Sequence, residues 1–180
     1  MKGVLFNVVE DVVQTTLPAD SWDHAVMASG CGGAYTSLGD YPAADLERIV
    51  GALAEQTGLP PEDVLRHAGR HGFAVLAERH PELLEQDMDL GDLLHGLDGV
   101  IHPEVLKLYP SAQPPSFAVR DTGPDRWELV YESRRGLCHL AEGLLVGAAE
   151  FFGRSATVEQ PTCVHRGDDR CVLIVQAPGS

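Results

Sequence analysis

Up to Leu108 the apolar residues of this chain recur at helical spacing, and after Pro115 they alternate; Pro110, Pro114 and Pro115 separate the two regimes. Proline lacks a backbone N–H and has a fixed φ, so the connector can be neither helix interior nor central strand. Before it, Val4, Leu5, Val8, Val9, Val12 and Val13 predict an amphipathic helix that ends ahead of Pro18. Asp20 or Ser21 caps a short second helix to about Met27, closed by the glycine-rich run 29–33. Leu46, Ile49, Val50 and Leu53 give a third helix between Pro42 and Gly58, and Pro60-Pro61 open a fourth that runs to Pro81. Residues 89–108 carry one more helical stripe, interrupted at Gly99 and Pro103, so this helix kinks or restarts with His102 at its head.

After the connector, 117–120 and 127–131 read as strands around the turn 121–125. Leu137, Leu140, Ala141, Leu144, Leu145, Ala148 and Phe152 return to helical spacing, and strands follow at about 155–161 and 171–176. Helices first, then a helix among four strands, make an α+β chain: an N-terminal helical subdomain packed on a C-terminal subdomain with a largely antiparallel sheet. The 180 residues fit one domain, large enough to enclose a ligand cavity.

Two features carry chemistry. On a strand, period-two alternation puts Trp127, Leu129, Tyr131 and Ser133 on one face, and a short extension adds Arg135. A phenol, a hydroxyl and a guanidinium on one face all donate hydrogen bonds, and none is negative. That face is either ordinary strand-end polarity or the seat of a small anion. His102, at a helix discontinuity, is either a capping or core residue or an axial ligand for haem iron. The readings join if the anion is a pair of haem propionates. No nucleophile or carboxylate pair accompanies His102, so an enzyme is the weakest reading.

The formal charge of −14, from 27 acidic and 13 basic residues, disfavours nucleic acid and anionic membranes as partners. No stretch approaches the roughly 18 apolar residues of a spanning helix, and the N-terminal residues do not read as a secretory signal, so the cytoplasm is expected. Cys31, Cys138, Cys163 and Cys171 then read as reduced thiols or metal ligands. Cys163 and Cys171 flank the last turn and Cys138 starts the last helix, so three thiolates can converge, with His165 or His139 as a fourth zinc ligand. Structural zinc and buried reduced thiols stand as the two readings.

The run 101–110, Ile-His-Pro-Glu-Val-Leu-Lys-Leu-Tyr-Pro, the connector Pro114-Pro115-Ser116-Phe117 and Tyr131-Glu-Ser133-Arg-Arg135, with Met1-Lys-Gly at the start, resemble the H-NOX family of haem nitric oxide/oxygen-binding domains. The resemblance spans essentially the whole chain. It implies haem b buried between a distal helical subdomain (about 1–65) and a proximal α+β subdomain (about 66–180). It implies His102 as the iron ligand, Tyr131, Ser133 and Arg135 as propionate partners, and Pro115 packed against the porphyrin. Leu5, Val9, Ala74 and Leu140 match its distal pocket positions, and all four are apolar. The oxygen-binding members carry a distal tyrosine where this chain has Leu140. Bound oxygen develops negative charge and gains from a donor, whereas nitric oxide needs none, so nitric oxide and carbon monoxide are the expected ligands, without stable oxygen binding.

The resemblance also implies the output: nitric oxide breaks the iron–His102 bond, the haem relaxes toward planarity, and a partner reads the movement of the His102 helix. A histidine kinase or a diguanylate cyclase/phosphodiesterase is the expected partner, since no such module is attached. Some bacterial members hold zinc with three cysteines and a histidine. Here Gln160 stands in the region where that histidine is expected. The rival readings are a haem-free small-molecule-binding regulatory module of related fold and a zinc/thiol redox sensor.

Overall fold

The computed structural model describes residues 1–179. Four helices come first: α1 (Gly3–Thr16), α2 (Ser21–Ser29), α3 (Ala43–Thr57) and α4 (Pro61–Arg79). α1 buries Val8, Val9, Val12 and Val13, the spacing of one helical face. α3 stops where Gly58 takes a left-handed φ of 70°, and α4 begins with Pro61 in its first turn, where the missing N–H costs no helical bond. α5 (Leu90–Gly96) opens with a reciprocal cap: Asp89 Oδ1 accepts from the Asp92 N–H at 2.9 Å, and Asp92 Oδ2 from the Asp89 N–H at 3.1 Å.

The interruption expected at Gly99 and Pro103 takes a definite form. Leu97–Ile101 make a π-helical turn, and α6 (His102–Leu108) restarts with His102 as its first residue and Pro103 in its first turn. A π turn inside an α-helix is uncommon and concentrates at functional positions.

The sheet consists of β1 (Ser116–Gly123), β2 (Arg126–Glu132), β3 (Thr157–Thr162) and β4 (Cys171–Gln176), ordered β1-β2-β4-β3 with every pair antiparallel. α7 (Cys138–Phe151) connects β2 to β3. β1 runs further than the sequence pattern predicts, because a bulge between Asp121 and Gly123 lets pairing with β2 continue into the expected turn. Trp127, Leu129 and Tyr131 alternate inward from β2 into a core shared with Ala141, Leu145 and Ala148 of α7.

A second core joins α1, α2, α3 and the first half of α4 through Phe6, Val13, Trp22, Ile49, Leu53 and Ala68, and it includes Leu140 of α7. α7 thus serves both cores, and the boundary expected near residue 65 falls inside α4. No helix among the described residues is long and apolar enough to cross a membrane.

Candidate functional site

A cavity of about 300 Å³ lies where the two cores meet, near the lower end of the usual range for small-molecule sites. α1 contributes Val4 and Leu5, α4 contributes Phe73, Leu76 and Ala77, and α7 contributes Leu140, Leu144 and Leu145. The segment from the π turn to the connector supplies Ile101, His102, Val105, Pro114, Pro115 and Phe117. Polar atoms gather at its edges: Lys2, the pair His80 and Tyr109 with Nε2 and hydroxyl 3.2 Å apart, and the trio Tyr131, Ser133 and Arg135.

His102 reaches the cavity from the head of α6, its side chain 16% exposed. Burial lowers its pKa below the ordinary imidazole value, against an opposing pull from Asp98. Asp98 Oδ1 lies 3.0 Å from His102 Nδ1, and Asp98 Oδ2 accepts the backbone N–H of Phe117 at 2.9 Å. The sequence reading passes over Asp98; its position four residues ahead of His102 is the signal that points to it.

Tyr131, Ser133 and Arg135 do meet at the cavity, but by a different route from the predicted strand extension. β2 ends at Glu132. Beyond it Ser133 Oγ accepts the backbone N–H of Arg135 at 3.2 Å, and Gly136, at φ 61°, turns the chain into α7. A turn rather than a pleat therefore aims Arg135, whose Nη1 donates to the Gln113 carbonyl at 2.6 Å. Burial pushes the Tyr131 phenol up to about 12, with Ser133 pulling the other way, so the phenol is a neutral donor at physiological pH. A more open hollow of about 690 Å³ adjoins this end and shares Gln113, Pro114 and the same trio. Lys2 lines the cavity, and the Met1 amine has its pKa lowered by burial and then by the Arg135 charge. Of these cationic residues Lys2 and Arg135 line the cavity, Lys2 with its ammonium 2.8 Å from the Asp40 carboxylate.

Two expected pocket residues lie elsewhere. Val9 is buried in the distal core with Phe6 and Val13: it shares the face of Leu5 but sits one turn further along α1, beyond the end that lines the cavity through Val4 and Leu5. Ala74 is exposed: α4 turns Phe73, Leu76 and Ala77 inward, and Ala74 falls at the flank of that face, outside the cavity.

A second cluster sits at the base of α7. Cys138, Cys163 and Cys171 are buried, and Cys138 and Cys163 place their sulfurs 3.7 Å apart. That is close to the roughly 3.8 Å edge of a tetrahedron built on Zn–S bonds of about 2.3 Å. Ligand atoms of Cys138, His139 and Cys163 all lie within 4.8 Å of one another. His139 Nδ1 lies 2.9 Å from the carboxylate of Glu142, a buried residue that also accepts from Arg66 Nε at 2.7 Å. His165 is otherwise engaged, with Nε2 2.7 Å from the Gly136 carbonyl oxygen. Both amide atoms of Gln160 are buried without a partner. Burial drives the Cys138 thiol up to about 12, so without a cation it is a poor nucleophile.

The haem-NO-binding family model matches residues 2–160 of the chain. No curated protein sequence matches it. Among solved structures, a mutant H-NOX protein from S. oneidensis in the Fe(II) ligation state superposes with a TM-score of 0.93 at 34% identity, covering 100% of this chain and 97% of that one. The S. oneidensis protein in the Fe(II)NO state gives 0.92 at 34% identity, covering 99% of this chain and 100% of that one. The unliganded Fe(II) H-NOX protein from K. algicida gives 0.88 at 27% identity, covering 100% and 98%.

Proposed function

This chain belongs to the haem-NO-binding (H-NOX) family, and from that membership we propose that it is a non-catalytic haem-based gas sensor for nitric oxide and carbon monoxide. The observation that carries this is the combination of an apolar cavity with His102 in its wall and a cationic, hydrogen-bonding end at Tyr131, Ser133 and Arg135. An apolar macrocycle with an iron at its centre and two carboxylates at its edge needs those three properties together. Haem supplies a ferrous iron that binds diatomic gases. His102 would hold that iron, Tyr131, Ser133 and Arg135 would hold the propionates, and Pro115, which lines the cavity, would pack on the ring.

Val4, Leu5, Phe73, Leu140 and Leu144 give a bound gas no hydrogen-bond donor from α1, α4 or α7. Stable oxygen binding depends on such a donor, and nitric oxide binding does not. The reduced protein should therefore show a Soret band that shifts with nitric oxide and with carbon monoxide, and should show no oxygen-bound spectrum in air. A stable oxy spectrum overturns the gas assignment. A protein that takes up no haem favours a ligand-binding module of the same fold.

His102 heads α6, so an iron held by His102 would tie that helix to the haem, and loss of that bond would leave α6 free to move. A histidine kinase or a diguanylate cyclase/phosphodiesterase reads the movement, and the acidic surface favours a partner with basic patches. The four free cysteines suit the reducing cytoplasm.

The spacing of the Cys138 and Cys163 sulfurs and the nearby His139 favour a structural zinc ion at these residues, with the buried Cys171 as the further thiolate ligand. Glu142 on His139 Nδ1 is the carboxylate–imidazole pairing that zinc-bound histidines commonly show. Metal analysis should find stoichiometric zinc, and Cys163→Ser should lose most of it. Without the cation, Cys138 should alkylate far more slowly at neutral pH than an ordinary thiol. Wild-type protein purified free of metal that still binds no added zinc assigns the cluster to buried thiols.

A further inference from the structure

Asp98 spans two elements that otherwise meet only through packing. One carboxylate oxygen lies 3.0 Å from His102 Nδ1 and the other takes the Phe117 N–H of β1 at 2.9 Å. Both oxygens are engaged, so the carboxylate is fixed rather than free to rotate toward water. The π turn Leu97–Ile101 joins Asp98 to the head of α6, and the Phe117 ring lies 5.9 Å from the His102 ring at a tilt of 32°. Imidazole, carboxylate and strand are thus locked together on the wall of the cavity.

A carboxylate can only accept at Nδ1, which requires the His102 tautomer with its hydrogen on Nδ1 and the lone pair on Nε2. Nε2 is then the atom offered to a metal. A charge-assisted bond at the far nitrogen is stronger than one to a neutral carbonyl, and it raises the donor strength of the ligating nitrogen. We propose that Asp98 is a positioning residue for gas sensing: it fixes the tautomer and orientation of His102, strengthens His102 as an iron ligand, and so sets how readily nitric oxide displaces it. This rests on the haem reading above. It also couples the release of His102 to β1, because a departing imidazole must either leave the Asp98 carboxylate or pull that carboxylate from the Phe117 N–H.

The test compares wild type, Asp98→Asn and the control Glu104→Gln, whose carboxylate lies on α6 two residues from His102 but is bonded to Lys107. In haem-free protein, nitrogen NMR of the His102 ring should show the hydrogen on Nδ1 in wild type and in the control, and mixed tautomers in Asp98→Asn. In haem-loaded ferrous protein, the iron–histidine stretching band should move to lower frequency in Asp98→Asn alone. Haem affinity should fall roughly tenfold or more, the usual effect of removing an outer-shell partner, and nitric oxide should displace His102 faster. A wild-type His102 carrying its hydrogen on Nε2 overturns the inference without recourse to any variant. So does an unchanged stretching band in haem-loaded Asp98→Asn. Failure of the haem reading looks different, since wild type then shows no Soret band at all.

Discussion

Replacing His102 by Gly will strip the protein of tightly held haem, and adding imidazole will restore the Soret band. His102 is the one imidazole in the cavity wall at the start of a helix, and it is fastened from behind by Asp98. The other imidazole there, His80, is committed to Tyr109 and to Glu82, with Nδ1 3.0 Å from the Glu82 carboxylate. Losing the metal ligand should weaken haem binding by on the order of 100-fold or more, beyond the 10- to 100-fold usual for an outer-shell partner. Gly at the head of α6 costs the helix no more than about 1 kcal/mol, so the fold should survive. Free imidazole fits the space left by the side chain and supplies the missing nitrogen, but it has no covalent link to α6. The rescued protein should therefore bind nitric oxide while failing to transmit it to a partner. Titration with haem, with and without imidazole, checks the first half. A variant with unaltered haem affinity and spectrum shows that the iron is held elsewhere.

The residues that carry this prediction differ in how far the sequence exposed them. His102 beside Pro103 was readable as a helix restart because proline tolerates only the first turn, and the structure adds that a π turn leads into it. The Tyr131, Ser133 and Arg135 trio was readable as a group of donors, yet its geometry was not. A strand period can be extrapolated only while the ladder continues, and this ladder ends at Glu132, after which a turn does the aiming. Val9 and Ala74 are expected at the cavity from the family resemblance alone, and the structure sets Val9 in the distal core and leaves Ala74 exposed. Cys138, Cys163 and Cys171 were legible as a cluster from their places at element ends. Which histidine stands nearer the cysteines depends on partners far apart in sequence: His139 has a ligand atom within 4.8 Å of the Cys138 and Cys163 sulfurs, while His165 meets the Gly136 carbonyl.

Least legible was the reason the cavity has its shape, which lies in residues without side chains. Where α4 crosses α7, a Cβ on Gly143 would stand 2.1 Å from the Arg66 carbonyl oxygen, and one on Gly69 would stand 2.3 Å from that of Leu140. Both obstacles are backbone, so neither can rotate away. Gly143→Ala should therefore push the helices apart, although alanine in a helix interior is normally favourable by about 1 kcal/mol. Separation also draws Arg66 from Glu142, whose side chain is 8% exposed, and leaves a buried carboxylate without its 2.7 Å partner. The net loss should be at least about 2 kcal/mol, a fall in melting temperature of roughly 4–8 °C. Gly51→Ala is the opposite case: Gly51 lies within α3 and its added Cβ meets nothing within 4 Å, so it should gain up to about 1 kcal/mol. Thermal unfolding of the two variants side by side checks the sign of each, and a Gly143→Ala protein as stable as wild type denies the crossing its tightness. Phe73, Leu76 and Ala77 enter the cavity from one of these helices and Leu140, Leu144 and Leu145 from the other. Gly143→Ala should consequently lower haem retention as well as stability, whereas a loss of stability with unaltered retention would separate the crossing from the cavity it encloses.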